Sequence, residues 1–461
     1  MELLEHFLSI TDELTEVFEQ KRTVRRAASL MLAELLCLGR RWITRLISTR
    51  GRDHQDWSAD YKLFSRAKWE LRRLFLPALR RTLPYFGAGP ITIAVDEFRA
   101  RRGGRRVKRS RWTRDPMSPP FHINFIKGIR FLQTAALLPL YRTHPVGCRS
   151  VPVSVVPVDL PRRPGRRATP EQIAAYQQAC QQNNMCRQAI RELRQTRAYY
   201  DDLGAAHKVL LTSLDGSFCN RTMFRADLPR TVLLARARKD AVLCRPARTA
   251  RGSTRVYGKR KFTPEKVRTN TAIPCHQVAI FYGGQWRTVR YKEVPNVLWQ
   301  GGAGRRPLRL IVVAPTPYQL SPACPRYYRQ PAYLLVNDHD LPIETLLQAY
   351  FDRWQIEVNH RDEKQLIGIV DAQVWNERSV DRVPAFMAAA YSFLLLAALE
   401  AYGPERTHHY IEPPIWQRRR RRPSCLDLLN LLRQQATKRP DLYGKVDFHF
   451  EPTRLTTKMA A

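Results

Sequence analysis

Two short apolar segments that each end in an aspartate constrain the fold of this chain most strongly. The first is AGPITIAVDEF, in which the apolar run stops at Asp96, and the second is KVLLTSLDGSF, in which it stops at Asp215. A nearly continuous apolar run of this length is typical of a strand that is buried on both faces of a sheet. We therefore predict two central strands of one sheet, with a carboxylate at the end of each.

The patterns around these strands predict an α/β architecture. The segments FHINFIKG and IRFLQTAALLPLY follow the first strand and are candidate strands of an antiparallel meander. A helix is predicted next, with Thr169 as N-cap, Pro170 at the first position and Gln172 completing a capping box. This helix is expected to run to about Tyr200. The predicted order is three strands, a helix and the strand that ends at Asp215.

Residues 221–330 are strand-rich and predict a subdomain inserted into the core. The segment HQVAIFYGGQWRTVRY is typical of a hairpin about Gly283 and Gly284, and LRLIVVAP and AYLLVND predict further strands. This is too much regular structure for a loop. The chain is then expected to return to the core sheet and to begin a helix near Ile343.

Five regions are predicted along the chain. Residues 1–87 show helical periodicity without a clear strand, and two basic amphipathic segments there flank a Gly-Arg-Asp turn, which is similar to a helix-turn-helix. The alternative is a basic helical bundle that only packs against the next domain. The core is predicted in two parts, residues 88–220 and residues 331–402, and the β-rich insertion between them is residues 221–330. Residues 403–461 are predicted to form a basic tail that contains Arg418–Arg422 and a capped helix after Ser424.

The charge of the chain favours a polyanionic partner. It has 78 Lys and Arg residues against 41 Asp and Glu residues, a formal net charge of +37. Nucleic acid is the predicted partner, because each phosphate that a basic group neutralises releases condensed counterions. A membrane surface is less favoured, since no long basic amphipathic helix is apparent. The basic loop after Asp96 is expected to contact DNA phosphates, the alternative being a solvated basic surface; its candidate residues are Arg105, Arg106, Lys108 and Arg109.

The cysteines and the apolar segments favour a reducing, cytoplasmic location. Nine scattered cysteines without a CxxC pair argue against a disulfide framework and against a structural zinc site. The first residues, MELLEHFLSI, lack the core of a signal peptide. The longest apolar run, AFMAAAYSFLLLAALEAY, is rich in alanine and follows a charged segment directly, so we predict a core helix rather than a membrane span.

The segment YFDRWQIEVNHRDEK, from Tyr350 to Lys364, combines one carboxylate with groups that can hold phosphates. At about 100° of rotation per residue, Arg353, Glu357 and Lys364 lie roughly 60°, 20° and 40° from Tyr350 on a regular helix. The four side chains are therefore expected to form one narrow stripe.

Three carboxylates from distant positions are candidates for a metal site. Asp96, Asp215 and Glu357 could converge on two divalent cations roughly 3.5 to 4 Å apart, as in phosphoryl transfer. Hard oxygen ligands favour Mg²⁺, with Mn²⁺ as a substitute. Glu97 is not expected to replace Asp96, because adjacent strand residues point to opposite faces. An aspartate after a strand is also common in loops, and a helical glutamate is usually solvated; the joint pattern favours the site.

The same segment resembles the Tyr-x2-Arg-x3-Glu-x6-Lys signature of bacterial insertion-sequence transposases in the DDE, ribonuclease H-like superfamily. The resemblance covers about residues 88–400 and includes the order of strands and the β-rich insertion. It implies an α/β fold with a ribonuclease H-like mixed sheet and flanking helices, preceded by a helical DNA-binding region. The first acidic motif here is VDEF rather than the DDT of some relatives. This difference concerns only the subgroup of transposases that the chain resembles.

The resemblance also implies roles for individual residues. Asp96, Asp215 and Glu357 would be the metal-binding triad. The remaining signature positions would contact terminal DNA phosphates or are often shared by close relatives, which makes them candidate DNA-binding residues: Tyr350, Arg353, Trp354, His360, Arg361 and Lys364.

A mechanism and partners follow from the resemblance. Water would cut one strand at a transposon end, the 3′-hydroxyl would form a hairpin, and the reopened end would join target DNA. Flipping one base out of the stack would relieve strain in the hairpin. The candidates to hold the flipped base are Trp286, Trp299 and Trp354. The expected partners are terminal inverted repeats, target DNA and a second copy in the synaptic complex, in a bacterial nucleoid. The alternatives are a non-catalytic DNA-binding regulator descended from a transposase, and a structure-selective nuclease on the same fold.

Overall fold

A computed structural model describes residues 2–104, 106–115, 118–119, 121–247, 254–319, 324–416, 421–446 and 448. Within these residues the fold is α/β, with a mixed sheet of twelve strands and flanking helices. The chain divides into two compact units. The first unit comprises Met1–Gly87, Glu97–Asp159 and Gln355–Ala461, and the second comprises Ala88–Asp96 and Leu160–Trp354.

The helices in the described residues are α1 Leu3–Asp12, α2 Lys21–Leu36, α3 Ile43–Thr49, α4 Ser58–Ser65, α5 Leu76–Thr82, α6 Pro170–Gln182, α7 Met185–Tyr200, α8 Arg221–Phe224, α9 Pro264–Thr269, α10 Ile343–Asp352, α11 Trp354–Asp362, α12 Glu377–Tyr402 and α13 Cys425–Lys438. The strands are β1 Ile91–Arg101, β2 Arg111–Arg114, β3 Phe125–Leu138, β4 Arg149–Pro157, β5 Leu210–Leu214, β6 Thr231–Arg236, β7 Leu243–Pro246, β8 Tyr257–Phe262, β9 His276–Tyr282, β10 Gln285–Leu298, β11 Pro307–Val313, β12 Pro317–Tyr318, β13 Tyr327–Tyr328 and β14 Ala332–Val336.

The first unit is organised around α12, which the sequence predicts as a core helix. Asn376 caps this helix by accepting hydrogen bonds from the backbone N–H groups of Arg378 and Ser379. The helix is apolar on all sides, as expected of a helix that is buried all round. It packs against α1, α2, α4, α5 and β4, and 94% of its most apolar 18-residue segment is buried. Among the described residues it is the one helix long and apolar enough to cross a membrane, and its burial confirms the core assignment.

The structure describes every residue from 2 to 87, and these residues form helices and no strand, as predicted. The Gly-Arg-Asp turn joins α3 to α4, and the buried Arg50 guanidinium donates to Asp60 at 2.7 Å. This ion pair fixes the turn. A role for α3 and α4 in reading DNA stays a prediction.

The second unit contains the parallel centre of the sheet. β1 pairs with β5, and β5 with β6, both in parallel. β14, β11 and β10 continue the sheet antiparallel, and β9 pairs with β10 through the hairpin predicted at Gly283–Gly284. Leu211, Leu234, Ile311 and Leu346 belong to the apolar core that joins these strands to α10.

Helix α10 is attached to the sheet by a buried amide. The side chain of Gln348 accepts from the backbone N–H of Phe281 and donates to its C=O, both at 2.9 Å. The buried backbone N–H and C=O groups of Phe281 thereby have hydrogen-bond partners. The position of Arg353, which follows α10 directly in the same unit, depends on this attachment.

Several predicted elements differ from the structure. β1 continues through Asp96 to Arg101, so the aspartate lies within the strand and not at its end. FHINFIKG and IRFLQTAALLPLY contain one strand, β3, because Gly128 fits closely against the backbone of Ala100, where a Cβ would lie 2.5 Å from the carbonyl oxygen. Part of the predicted basic loop forms β2, which pairs with β3. The unpredicted β4 contains Pro152, a residue that weakens a strand pattern.

The predicted helix from Pro170 to about Tyr200 is two helices. Its start is correct, since Thr169 and Gln172 form the capping box. The first of the two helices, α6, ends at Gln182. The side chain of Asn184 then caps α7 by accepting from the N–H of Arg187 at 3.0 Å. Asparagine favours such caps over helix interiors, because its side chain competes for backbone hydrogen bonds.

We expect the N-cap of α13, which the sequence predicts correctly, to contribute measurably to local stability. Ser424 Oγ accepts from the N–H of Asp427, whose carboxylate accepts from the N–H of Ser424. Ser424→Ala should cost about 1 kcal/mol, which makes amide exchange within α13 about fivefold faster. The matched variant Thr169→Ala should accelerate exchange in α6 alone. Unchanged exchange in α13 would contradict the assigned cap.

Candidate active site

Asp96 and Asp215 lie at the same level of two neighbouring parallel strands. Val95 of β1 pairs with Leu214 of β5, and the two aspartates are the next residues along each chain. Neighbouring strands are about 4.8 Å apart, and paired residues of parallel strands share a face of the sheet. The register therefore brings Asp96 and Asp215 next to each other on adjacent strands of one sheet, and a shared role of their carboxylates stays a prediction.

Hydrogen bonds orient the carboxylate of Asp215. Its Oδ1 accepts from the backbone N–H of Ser217 at 2.9 Å and from the Ser217 hydroxyl at 2.6 Å. Asp215 thereby caps the short turn Gly216–Phe218. Asn220 donates to the Ser217 carbonyl at 2.9 Å and supports the same loop. The sequence prediction missed Ser217 and Asn220, although Asp-x-Ser is a recognisable turn pattern.

Arg353 lies beside Asp96. Its Nη1 atom is 3.9 Å from Asp96 Oδ2, and each side chain is 17% exposed. This separation is that of an ion pair and is longer than a hydrogen bond. The backbone stays helical at Arg353, whose N–H donates to the Ala349 carbonyl at 3.1 Å. The arginine of the signature therefore lies next to one of the two carboxylates.

Two other signature residues of the second unit have different environments. Tyr350 is half-buried against the apolar core, and its ring meets Phe351 edge-on at 5.3 Å. Trp354 is 53% exposed. Tyr350 is thus held by packing, whereas Trp354 is accessible to a ligand.

The remaining signature residues belong to the first unit. Glu357 is half-buried on α11. His360 is buried with its ring 5.3 Å from that of Phe98, an environment typical of a core residue. Arg361 donates to Asp362 at 2.9 Å, and Lys364 Nζ lies 5.9 Å from the Phe98 ring centroid.

The segment from Tyr350 to Lys364 is not one regular helix. α10 ends at Asp352 and α11 at Asp362, and Glu363–Ile367 form a π-helical turn that ends at the left-handed Gly368. A π turn closes through i→i+5 hydrogen bonds and contains an additional residue. A rotation of 100° per residue therefore does not hold as far as Lys364. The assumption of an uninterrupted α-helix is wrong, and a common stripe of the four side chains stays a prediction.

The π turn contains a buried carboxyl group. Glu363 is 1% exposed. Burial raises its pKa to about 8, against smaller opposing effects of Gln133 and Lys364. We therefore expect the Glu363 carboxyl group to keep its proton at neutral pH.

The basic loop is engaged with acidic and aromatic neighbours of the first unit. Arg105 lies outside the described residues. The guanidinium of Arg106 stacks 5.5 Å from the centroid of Trp375, and Lys108 pairs with Glu377 at 3.1 Å. Because Lys108 is 77% exposed, that ion pair contributes little to stability.

Arg109 has a more enclosed partner. It lies 3.4 Å from Asp381, whose side chain is 17% exposed. Burial raises the pKa of Asp381 to about 6, and Arg109 opposes this rise. Arg109 therefore compensates a partly buried carboxylate within its own unit.

The three candidate tryptophans also differ. Trp286 is 56% exposed, like Trp354, whereas Trp299 packs edge-on against Phe224 at 5.8 Å. A Cβ at Gly302 would lie 2.1 Å from the Trp299 ring, so this ring is fitted against a glycine. Trp286 and Trp354 are the two candidates with an accessible ring.

The donor set of the second unit fits the predicted cation in chemical type. Asp96 and Asp215 offer hard carboxylate oxygens from adjacent strands, which Mg²⁺ prefers. Among the described residues, no group of three or more His, Cys, Asp or Glu side chains is arranged to hold a metal ion. Glu357, the predicted third ligand, belongs to the first unit.

Comparisons with known proteins do not assign a family. No family model matches the chain, and no curated protein matches it.

The buried Glu363 predicts how the stability of the protein depends on pH. Between its ordinary pKa of 4.5 and its pKa of about 8, the folded protein keeps a proton that the unfolded chain loses. Stability should therefore fall as pH rises through this window, by up to about 1.4 kcal/mol per pH unit. Glutamine does not titrate, so Glu363→Gln should gain stability relative to wild type, by up to about 3 kcal/mol between pH 5 and pH 7.5.

Urea unfolding at several pH values measures this difference. The exposed Glu344→Gln is the matched control and should follow the wild-type curve. If Glu363→Gln also ran parallel to wild type, Glu363 would titrate normally in the folded state.

Proposed function

We propose that this protein is a DNA transposase of the DDE type, which cuts and joins transposon ends by metal-assisted phosphoryl transfer through a hairpin intermediate. The observation that carries the proposal is the register of β1 and β5, which sets Asp96 and Asp215 side by side. Arg353, 3.9 Å from Asp96, supplies a cation at the same place. Carboxylates for a metal and a guanidinium for a phosphate are the groups that phosphoryl transfer requires.

In this proposal, Asp96, Asp215 and Glu357 hold Mg²⁺, with Mn²⁺ as a substitute. The bound cations would activate the attacking oxygen and stabilise the leaving one. Ser217 keeps the Asp215 carboxylate in a fixed orientation through two hydrogen bonds, so this ligand is preorganised. Arg353, Tyr350 and Lys364 contact phosphate oxygens of the DNA end.

The partners and the location belong to the same proposal. The net charge of +37 supports a DNA partner. The DNA would be the terminal inverted repeats and a target duplex, and two copies of the chain would hold a pair of ends. The fold would be ribonuclease H-like, and the protein would act on the bacterial nucleoid.

One experiment separates this function from the two alternatives. The protein is incubated with a magnesium salt and DNA carrying the inverted repeats that flank its gene, and the products are resolved as nicks, hairpins and joined strands. Hairpins and joined strands support transposition. Cutting without joining indicates a nuclease, and binding without cutting indicates a regulator.

We expect the three carboxylates to be required for cleavage and dispensable for binding. Asp96→Asn, Asp215→Asn and Glu357→Gln should each reduce nicking by more than about 100-fold, since even outer-shell changes at metal sites cost 10- to 100-fold. End binding, measured by gel shift, should stay within about twofold, because phosphate contacts dominate affinity. The exposed Asp240→Asn is the control. Cleavage that survives one of these changes removes that residue from the triad.

Arg353 and Lys364 should act on phosphates and not through metal. Arg353→Ala or Lys364→Ala should reduce the slope of log affinity against log salt by about 0.9 each. Additional magnesium or manganese should not restore binding. Arg238→Ala, which removes a guanidinium already paired with Asp240 at 2.7 Å, should leave the slope unchanged. Wild-type slopes and hairpin yields for Arg353→Ala and Lys364→Ala would assign these residues a structural role.

A further inference from the structure

A cleft of about 500 Å³ in the second unit is lined by five arginines. The sequence prediction did not single out any of them. Three come from α7 and two from α8 and its C-terminal end: Arg187, Arg191, Arg194, Arg221 and Arg225.

The arginines of α7 occupy one face of the helix. Arg187, Arg191 and Arg194 are four and three residues apart, so they project from the same side over a length of about 10 Å. The opposite side, with Leu193 and Tyr200, is buried. Like charges at this spacing repel one another. The three arginines do not belong to the buried side of α7, so packing of the helix does not explain them. Binding of an anionic ligand would.

Four of the five guanidinium groups of the cleft are held in place by hydrogen bonds that do not neutralise them. In the described part of the chain their hydrogen bonds end on uncharged oxygens: Gln181 O for Arg187, Asn183 Oδ1 for Arg191, Asp227 O for Arg194, and Gly302 O and Gln300 O for Arg225. By contrast, Arg238 and Arg268 of the same unit pair with carboxylates at 2.7 and 2.6 Å. The cleft therefore keeps an uncompensated positive charge in a fixed geometry.

The cleft adjoins a second arginine-lined cleft and is linked by hydrogen bonds to the loop that contains Asp215. Arg225 also lines an adjoining cleft of about 540 Å³ with Arg305 and Arg306. At the other side, Asn220 donates to Cys186 Sγ at 3.0 Å and to the Ser217 carbonyl at 2.9 Å. This connects the first turn of α7 to the loop that orients Asp215.

We infer that this arginine cleft binds the phosphodiester backbone of duplex DNA. Guanidinium forks match phosphate oxygens bidentately. The 10 Å row on α7 is long enough to reach more than one phosphate of a strand, which carries one charge per about 3.4 Å of duplex axis. The described lining has no aromatic side chain on which unpaired bases could stack, which favours a duplex over a single strand. That the duplex continues towards Asp215 rests on the proposed function, whereas binding in the cleft does not.

The test uses the full-length protein, a labelled 30-base-pair duplex of random sequence and EDTA, so that cleavage does not contribute. Arg191→Ala/Arg194→Ala is compared with Arg238→Ala/Arg268→Ala, which removes the same charge from ion-paired positions. Fluorescence anisotropy gives the dissociation constant over a range of salt concentrations. Circular dichroism and thermal melting establish that each variant is folded, and Arg221→Ala repeats the test from α8.

The cleft variant should bind about tenfold more weakly at 0.1 M salt, with its salt slope reduced by about 1.8, because two phosphate contacts are lost. The single Arg221→Ala should reduce the slope by about 0.9, and the paired control should match wild type. Equal slopes for cleft and control variants would overturn the inference. So would a loss of binding confined to an RNA duplex or to phosphatidylserine vesicles. Failure of the wild-type protein to cut DNA in magnesium would overturn the proposed function alone.

Discussion

The parallel pairing of β1 with β5 is the constraint on which the candidate site depends. Its register sets Val95 opposite Leu214, and the next residues are the two aspartates. Both strands are mostly apolar up to that point because the centre of the sheet is buried, and Ile93 and Leu211 are 0% exposed. A shift of one residue in either strand would turn its aspartate to the other face of the sheet. Burial of these strands therefore also fixes which face of the sheet carries the two aspartates.

A large positive charge does not by itself define a DNA-binding surface, because many of the basic groups are already neutralised. In the helical region of the first unit, Arg81 pairs with Glu13 and with Glu400, and the buried Arg50 pairs with Asp60. Such residues stabilise packing between elements. Candidate phosphate contacts are the guanidinium groups whose hydrogen bonds end on uncharged partners. By this criterion α7 is a stronger candidate than Arg109, which compensates Asp381.

The sequence predicts the buried strands, the caps and the core helix, because each depends on local chemistry. The capping boxes at Thr169 and Ser424 and the burial of α12 agree with the predictions. The errors lie where tertiary contacts override local patterns. The extension of β1 beyond Asp96 and the short β2 depend on pairing with distant strands, and the π turn depends on the burial of Glu363. The arginine cleft escaped prediction because α7 and α8 are separated by twenty residues, and only the fold brings their charges together.

The signature segment combines two kinds of constraint, and its residues should be interpreted accordingly. Arg353, Trp354 and Arg361 retain polar or exposed groups that a ligand could use. His360 and Glu363 are buried, and their identities are explained by packing against Phe98 and by burial of a protonated carboxyl group. A sequence signature of this kind therefore records both the chemistry of a site and the helix that positions it. Loss of activity on substitution of a buried member would report on the helix, and only substitution of the accessible members tests the chemistry.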